Sequence, residues 1–455
     1  MISVSGMRGH VGTDLTPELV ARYAAAFGAW VRESPSAAAG GRAAVVLGRD
    51  SRTSGPMFTR AATSGLMSVG VDAIELGMVP TPTVQMAVEH HRAGGGLILT
   101  ASHNPIEWNA LKFVGPDGIF LDAESGGRVR ALAEQGPARM GWEGLGEVRE
   151  DGDAIARHLD AILALSMIDV TAIRLRRFHV ALDCVRGAGA PAMLPLLERL
   201  GCRVSGINLE PDGRFPRAPE PIPENLTELG RVVVDSGASI GLAVDPDVDR
   251  LALVDGKGRA IGEDYTLAFA IRSVLDGRIA KAKDQTVVVN LSTSLVVEDA
   301  ARSMGATLVR VPVGEANVAR AIRDRGAVIG GEGNGGVMFP ALHTGRDAPL
   351  GVALILHLLA TTGVTVSQLV ASAPRYTIVK AKGPRGPELR PMYDRLRQRF
   401  PDAEADESDG LRLSWGDRWL HVRPSGTEPI VRLIAEAPSA ADAEGLVTSA
   451  RELLH

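Results

Sequence analysis

A chain of 455 residues is too long for one hydrophobic core and points to three or four domains. With 49 basic against 54 acidic side chains, its net charge of −5 gives no footprint for nucleic acid or a membrane surface, so a small molecule is the expected partner. Cys184 and Cys202 cannot build a disulfide framework, and Met1-Ile2-Ser3-Val4-Ser5-Gly6 has no basic region ahead of an apolar core, so a cytoplasmic protein is expected.

In chain order, the first feature is Ser5-Gly6-Met7-Arg8-Gly9, read as a turn with glycines flanking an arginine, ahead of the helix signalled by Leu15-Thr16-Pro17-Glu18. The Arg8 guanidinium can fork onto a phosphate there; the plainer reading is a solvated side chain. Ala43 to Leu47 forms a strand entering the polar loop Gly48-Arg49-Asp50-Ser51-Arg52. A helix then runs through Met67, and Val79-Pro80-Thr81-Pro82 makes a rigid turn.

The apolar run Gly96-Leu97-Ile98-Leu99 leads into Thr100-Ala101-Ser102-His103-Asn104-Pro105. A buried strand ending in small polar residues puts the Ser102 hydroxyl at the carboxyl edge of a sheet, where open α/β sheets place ligands. Serine is a weak nucleophile unless a neighbour takes its proton, which draws attention to His103 and Lys112. The lysine is informative by composition: the chain has six Lys against 43 Arg, yet only a lysine can release a proton near neutrality. Lys112 is therefore a candidate acid/base; the alternative is a helix-capping Ser102 and a solvated Lys112.

A second unit follows Glu147 to Gly152. It has a helix from Ile155 to Met167, the strand Phe178 to Asp183, the helix Pro191 to Leu200, a strand near Val204, and a proline-rich loop from Phe215 to Asn225 that can be neither helix nor central strand. The strand Ser239 to Val244 runs straight into Asp245-Pro246-Asp247-Val248-Asp249-Arg250. Carboxylates at alternate positions repel one another unless a cation bridges them, and a hard ion such as Mg²⁺ takes oxygen ligands. The loop lacks the glycine and glutamate pattern of an EF-hand; a solvated acidic turn is the alternative.

The third unit begins near Lys257 and contains the helix from Asp264, the strand Thr286 to Asn290, a helix through Met304 and the strand Thr307 to Val311. After a further helix, Ala327 to Gly330 runs into Gly331-Glu332-Gly333-Asn334-Gly335-Gly336, where one carboxylate and one amide on a flexible backbone can read vicinal hydroxyls. The apolar stretch Leu350 to Leu359 is too short to span a bilayer. Three times the chain thus runs strand, helix, strand, helix, strand and then a polar loop, after Leu99, Val244 and Gly330. Right-handed connections would bring each loop to the same edge of its sheet, facing one cleft.

The last unit, from about Ala373, differs: a helix from Pro387 to Phe400, an acidic stretch, strands Leu411 to Leu413 and Trp419 to Val422, and a final helix. Arg423-Pro424-Ser425-Gly426-Thr427-Glu428-Pro429 combines an arginine, two hydroxyls and free backbone N–H groups into an anion nest. The fold expected is α/β: three similar α/β domains with mixed sheets plus a smaller C-terminal α+β domain, four domains around one cleft, at residues 1–150, 151–256, 257–370 and 371–455.

Ser102-His103-Asn104-Pro105 with Asn109 and Lys112, together with the acidic, glycine-rich and Arg423 loops in this order, resembles the α-D-phosphohexomutases, and most of all their archaeal-type phosphoglucosamine mutases and phosphomannomutase/phosphoglucomutase relatives. The resemblance implies a phosphoserine enzyme at Ser102 that interconverts hexose 6-phosphate and 1-phosphate through a bisphosphate, with glucosamine phosphate ahead of mannose and glucose phosphates. By the same match Ser102, Lys112, Arg8 and His103 are catalytic, with Ser5 beside Arg8. One Mg²⁺ lies on Ser102, Asp245, Asp247 and Asp249, and Arg250, Glu332, Asn334, Arg423, Ser425, Gly426 and Thr427 bind substrate. A hexose 1,6-bisphosphate is the implied activator, and a monomer or homodimer the implied state. The chain departs from the pattern at Asn334-Gly335-Gly336, where many members have serine, glycine and histidine, at Glu315, where some have histidine, and at Ala348, where glycine is common. A magnesium-dependent sugar phosphatase, or a non-catalytic sugar-phosphate binder, are the readings from other classes.

Overall fold

The computed structural model describes residues 2–3, 6–33, 42–276, 285–386, 388–425 and 430–454. Three successive α/β units share one topology. In the first, strand Ala44–Arg49 pairs in parallel with Asp72–Met78 on one side and Gly95–Leu99 on the other, and Trp108–Val114 closes antiparallel against Gly95–Leu99. The second repeats this with His179–Asp183, Arg203–Ile207, Ile240–Val244 and Leu251–Asp255. Thr286–Asn290, Thr307–Val311, Ile329–Glu332 and Gly336–Met338 make the third. In every unit the third strand leaves the sheet at its carboxyl end and returns antiparallel. The return loop is where Ser102, the three aspartates and Asn334 lie, so the repeat read from the sequence is present.

Strands such as Thr-Val-Val-Val-Asn at 286–290 form because β-branched side chains suit a pleat covered by helices on both faces. The first sheet is extended to seven strands by Ile2–Ser3 and Gly6–His10 at one edge and Val148–Glu150 at the other. Gly6–His10 corrects the expected turn around Arg8: it is a strand paired with Trp108–Val114, Arg8 opposite Ala110. The helix expected from Ile155 to Met167 is shorter, Ala154–Leu163, and a separate short helix follows at Val170–Arg176.

The second and third units are fused by one apolar core, running from Leu159 and Leu196 through Leu242 and Phe269 to Val289, Leu354 and Leu369. Its axis is helix Ala348–Thr362, buried at every residue from Ala348 to Leu359. That helix starts at Asp347, whose carboxylate accepts from Leu350 N, with Pro349 in its first turn, and ends at Gly363 with φ +74°. Among the described residues no single helix is long and apolar enough to cross a membrane.

A polar node ties the first unit to this fused pair. Thr83 Oγ1 lies 2.9 Å from His158 Nδ1, and His158 Nε2 and His343 Nε2 lie 2.7 and 2.9 Å from the same Asp347 oxygen. Gly345 N donates to His343 Nδ1 at 3.0 Å, which fixes the neutral tautomer that donates from Nε2. Asp347→Ala would strip two buried imidazoles of their acceptor and the helix of its cap. We expect a loss on the order of 3–6 kcal/mol in urea unfolding; an unchanged midpoint would refute a structural role for the node.

The fourth unit is an antiparallel sheet in the order Thr377–Pro384, Ile430–Ala437, Trp419–Pro424, Leu411–Ser414, Glu404–Asp406, covered by helices Arg390–Arg399 and Ala440–Arg451. It has its own apolar core around Leu396, Leu420, Leu433 and Ala450. Polar contacts dock it on the segment after Asn290. Arg412 Nε donates to Leu291 O at 2.9 Å, Ser292 Oγ lies 2.8 Å from His421 Nδ1, and Glu436 accepts from Leu295 N at 2.7 Å and from Ser294 Oγ. This interface is polar where the core joining units two and three is apolar.

Candidate active site

Two of the loops meet face to face. Ser102 is buried and has φ +50°, and Val248 in the acidic loop has φ +63°. A left-handed serine is uncommon and a left-handed valine is a sharp outlier, so both loops are held by their surroundings rather than by preference. Ser102 Oγ donates to Asp245 Oδ2 at 3.0 Å, and Asp245 Oδ1 accepts from the backbone N–H of Asp249 and Arg250 at 3.2 and 3.3 Å. Asp247 Oδ2 accepts from Lys112 Nζ and from Thr81 Oγ1, both at 2.9 Å. Asp249 Oδ2 accepts from Arg346 Nη2 at 2.6 Å. The structure thus brings Ser102, Lys112 and the three aspartates together.

The serine loop is shaped by a residue that the sequence did not single out. Arg52 is fully buried and spends all five of its donors: Nε on Asp50 at 3.0 Å, Nη1 on the carbonyls of Pro105 and Trp108 at 2.6 and 2.9 Å, Nη2 on those of Ser102 and Asn104 at 2.7 and 2.6 Å. Asp50 also accepts from Thr100 Oγ1 at 2.7 Å, and that oxygen accepts from Ser102 N at 2.9 Å. The Phe215 ring of the second unit covers the guanidinium at 5.0 Å. Arg8 reaches the same loop, donating to Asn104 Oδ1 at 2.7 Å; Ser5 lies outside the described residues.

Charge is strongly unbalanced at the acidic loop. Burial, together with the charges of Asp249 and Asp247, pushes Asp245 well above the usual carboxylate range. For Asp247 burial acts the same way, but the Lys112 ammonium and the hydrogen bonds outweigh it and hold the carboxylate down. His103, with Nδ1 3.4 Å from Ser102 Oγ, is driven well below its ordinary value by the Arg250 charge, burial and Arg8, so it stays neutral. Asp247 Oδ1 and Asp249 Oδ1 are buried without a hydrogen-bond partner, and one oxygen from each of the three aspartates lies within 4.8 Å of the others. Orphaned buried carboxylate oxygens are costly unless something cationic joins them. A hard divalent ion fits this donor set.

The glycine-rich loop joins the cluster indirectly. Glu332 ends strand Ile329–Glu332, where one oxygen accepts from Asn290 Nδ2 and Gly314 N at 2.8 and 3.2 Å and the other from Arg346 Nη1 at 2.7 Å. Asn334 sits in the tight turn that follows, its side chain accepting from Gly336 N at 3.3 Å. Gly335 has φ +89°, and a Cβ there would stand 2.4 Å from Leu251 O, so only glycine lets this turn lie against the strand leaving the acidic loop. Arg250 donates to Glu220 at 3.3 Å, its Nε 3.8 Å from Asp249.

Arg423 and Ser425 form a separate set on the fourth unit. Arg423 Nε donates to Asp409 Oδ2 at 2.8 Å, and the same oxygen accepts from Val313 N of the third unit at 3.1 Å. Gly426 and Thr427 lie outside the described residues. Asp50, Arg52, Thr81, Asn290 and Arg346 are members of the cluster to which the sequence reading gave no role, and Glu315, noted only as a departure from the family pattern, joins them. The signal available for them was only that each stands at the end of a strand or the start of a helix, where loops gather.

Three α/β units meeting at a serine, a lysine and a three-aspartate loop, with a fourth docked on the third, define a multidomain α/β enzyme. The family models for phosphoglucomutase/phosphomannomutase α/β/α domains I, II and III match residues 2–139, 156–258 and 262–376, and the model for the C-terminal domain matches 381–453. The chain is 37% identical over 438 residues, 95% of it and 94% of the relative, to a phosphoglucomutase/phosphomannomutase of Thermococcus kodakarensis. It is 32% identical over 463 residues, 100% and 99% of the two chains, to a phosphoglucosamine/phosphogalactosamine mutase of Sulfurisphaera tokodaii. A crystal structure of a phosphoglucomutase/phosphomannomutase family protein from Burkholderia thailandensis superposes with a TM-score of 0.85 at 26% identity, covering 100% of this chain and 96% of that one. The chain belongs to the phosphoglucomutase/phosphomannomutase family, the α-D-phosphohexomutases, and is an enzyme of that isomerase class.

Proposed function

We propose that this enzyme interconverts hexose 6-phosphate and hexose 1-phosphate through a phosphorylated Ser102 and a bisphosphate intermediate, with glucosamine phosphate as its favoured sugar. The observation that carries the reading is Ser102 Oγ 3.0 Å from Asp245 while Lys112 lies 2.9 Å from Asp247, in one buried cluster built by two domains. Phosphoryl transfer asks a protein mainly for positioning and charge stabilisation. Asp245, Asp247, Asp249 and phosphorylated Ser102 would hold Mg²⁺, which neutralises charge on the transferring group when bound.

The chain's own residues do the rest. Lys112 exchanges a proton with the reacting sugar hydroxyl, and neutral His103 stays beside Ser102 without competing for phosphate as a cation. Arg8 and Arg250 flank the phosphoryl group, while Glu332 and Asn334 receive sugar hydroxyls. The Arg423 loop, with Ser425, Gly426 and Thr427, holds the phosphate that is not being transferred. A hexose 1,6-bisphosphate primes Ser102.

The name of the Sulfurisphaera tokodaii relative supports the amino sugar, and that of the Thermococcus kodakarensis relative favours glucose and mannose phosphates as the second reading. A coupled assay with Mg²⁺ and a trace of hexose 1,6-bisphosphate, run on glucosamine, glucose and mannose phosphates, separates them. We expect glucosamine phosphate to dominate and Ser102→Ala to remove turnover. Dominant glucose or mannose activity would establish the second reading, and turnover surviving in Ser102→Ala would overturn the phosphoserine mechanism.

A further inference from the structure

Arg346 is buried and lies just before the central helix Ala348–Thr362, between loops that belong to different units. Its guanidinium faces three carboxylates from three segments: Nη2 lies 2.6 Å from Asp249 Oδ2 and 3.1 Å from Glu315 Oε2, and Nη1 2.7 Å from Glu332 Oε2. The far oxygen of Glu332 is pinned by Asn290 and Gly314, whereas the far oxygen of Asp249 has no hydrogen-bond partner and belongs to the three-aspartate cluster. The backbone repeats the link: Leu251 N donates to Gly335 O at 3.0 Å and Ala348 N to Val248 O at 3.3 Å. One planar fork therefore stands between the residue expected to touch sugar and a residue expected to hold the metal.

We propose that Arg346 is a positioning residue that couples the sugar loop to the metal loop, so that the state of Glu332 sets the affinity of the Asp249 carboxylate for its cation. This rests on the reading of Glu332 as sugar-binding and of the aspartates as metal ligands. The physical basis is the geometry of guanidinium. Its two Nη arms are fixed in one plane and cannot turn independently, so a carboxylate that moves on one arm reorients the other. Partners that orient a metal ligand without touching the metal commonly control affinity by ten- to a hundredfold. Glu315 keeps the fork in place from a third side, and burial makes the loss of any one partner felt by the others.

The test is calorimetric titration of Mg²⁺ into substrate-free enzyme for wild type, Arg346→Met, Arg346→Lys and Glu332→Gln, with thermal melting to establish that each is folded. Arg346→Met is expected to bind Mg²⁺ about tenfold or more weakly. Arg346→Lys should recover only part of this, since an ammonium cannot bridge two carboxylates in the same plane. The decisive variant is Glu332→Gln, which alters no aspartate: we expect Mg²⁺ affinity to fall severalfold. Mg²⁺ binding within twofold of wild type in Glu332→Gln overturns the coupling, even where Arg346→Met is impaired or fails to fold. KM for hexose phosphate in Glu332→Gln separates the two readings. A KM unchanged while Mg²⁺ binding weakens would remove Glu332 from sugar recognition and leave the Arg346 bridge standing.

Discussion

Replacing Arg52 by methionine is expected to lower kcat about a hundredfold or more and to destabilise the protein on the order of 3–5 kcal/mol. The stability loss arises because Asp50, buried beside it, loses its counter-charge. The catalytic loss has a different origin. Four carbonyls of the serine loop end on Arg52, and the left-handed Ser102 persists only while they do. The double variant Asp50→Asn/Arg52→Met separates these effects. Removing both charges should return much of the stability, because no uncompensated ion remains, but the loop stays unclamped and kcat stays low. Arg52→Lys, with three donors in place of five, should fall between. Recovery of kcat in step with stability in the double variant would show that Arg52 merely holds the domain together.

Docking of the fourth unit is expected to weaken steeply as pH falls from about 6.5 to about 4. His421 is fully buried at that interface, where Nε2 donates to Asp409 O at 2.8 Å and Nδ1 accepts from Ser292. Burial, only partly offset by the Asp409 carbonyl, pushes the imidazole down to about 4, against an ordinary value of 6.5. The undocked state therefore takes up a proton below 6.5 that the docked state refuses. The contribution is fully present above 6.5 and is lost toward 4, at about tenfold in docked population per pH unit and on the order of 3 kcal/mol in total. Hydrogen exchange protection of Leu291–Ser294, corrected for intrinsic rates, should fall about tenfold between pH 6 and 5 in wild type. In His421→Gln it should fall far less. Equal pH dependence in the two proteins would rule His421 out as the titrating group.

The parts of this enzyme that were legible in its sequence share a physical trait. Ser102, the aspartates and Glu332 each follow an apolar run that can only be a buried strand, so the polar residues after it had to stand at a sheet edge. Lys112 was legible because lysine is scarce in the chain. Arg52 and Arg346 were hidden for the converse reason: among 43 arginines, nothing in the sequence marks the few that are buried. Arg8 was placed in a turn because Gly-Met-Arg-Gly-His has no alternation to reveal a strand; what makes it one is a partner strand a hundred residues away, Trp108–Val114. The single core of the second and third units was illegible too. Periodicity identifies an apolar face but not which other face it meets.

The cluster is written across the chain in an order that matters during synthesis. Ser102 and Lys112 emerge first, the aspartates next, and Arg346 only after most of the third unit. Until Arg346 arrives, Asp249 lacks its guanidinium partner and is better left hydrated than buried. Closure of the three-aspartate loop thus waits on the third unit, while the fourth has still to be made.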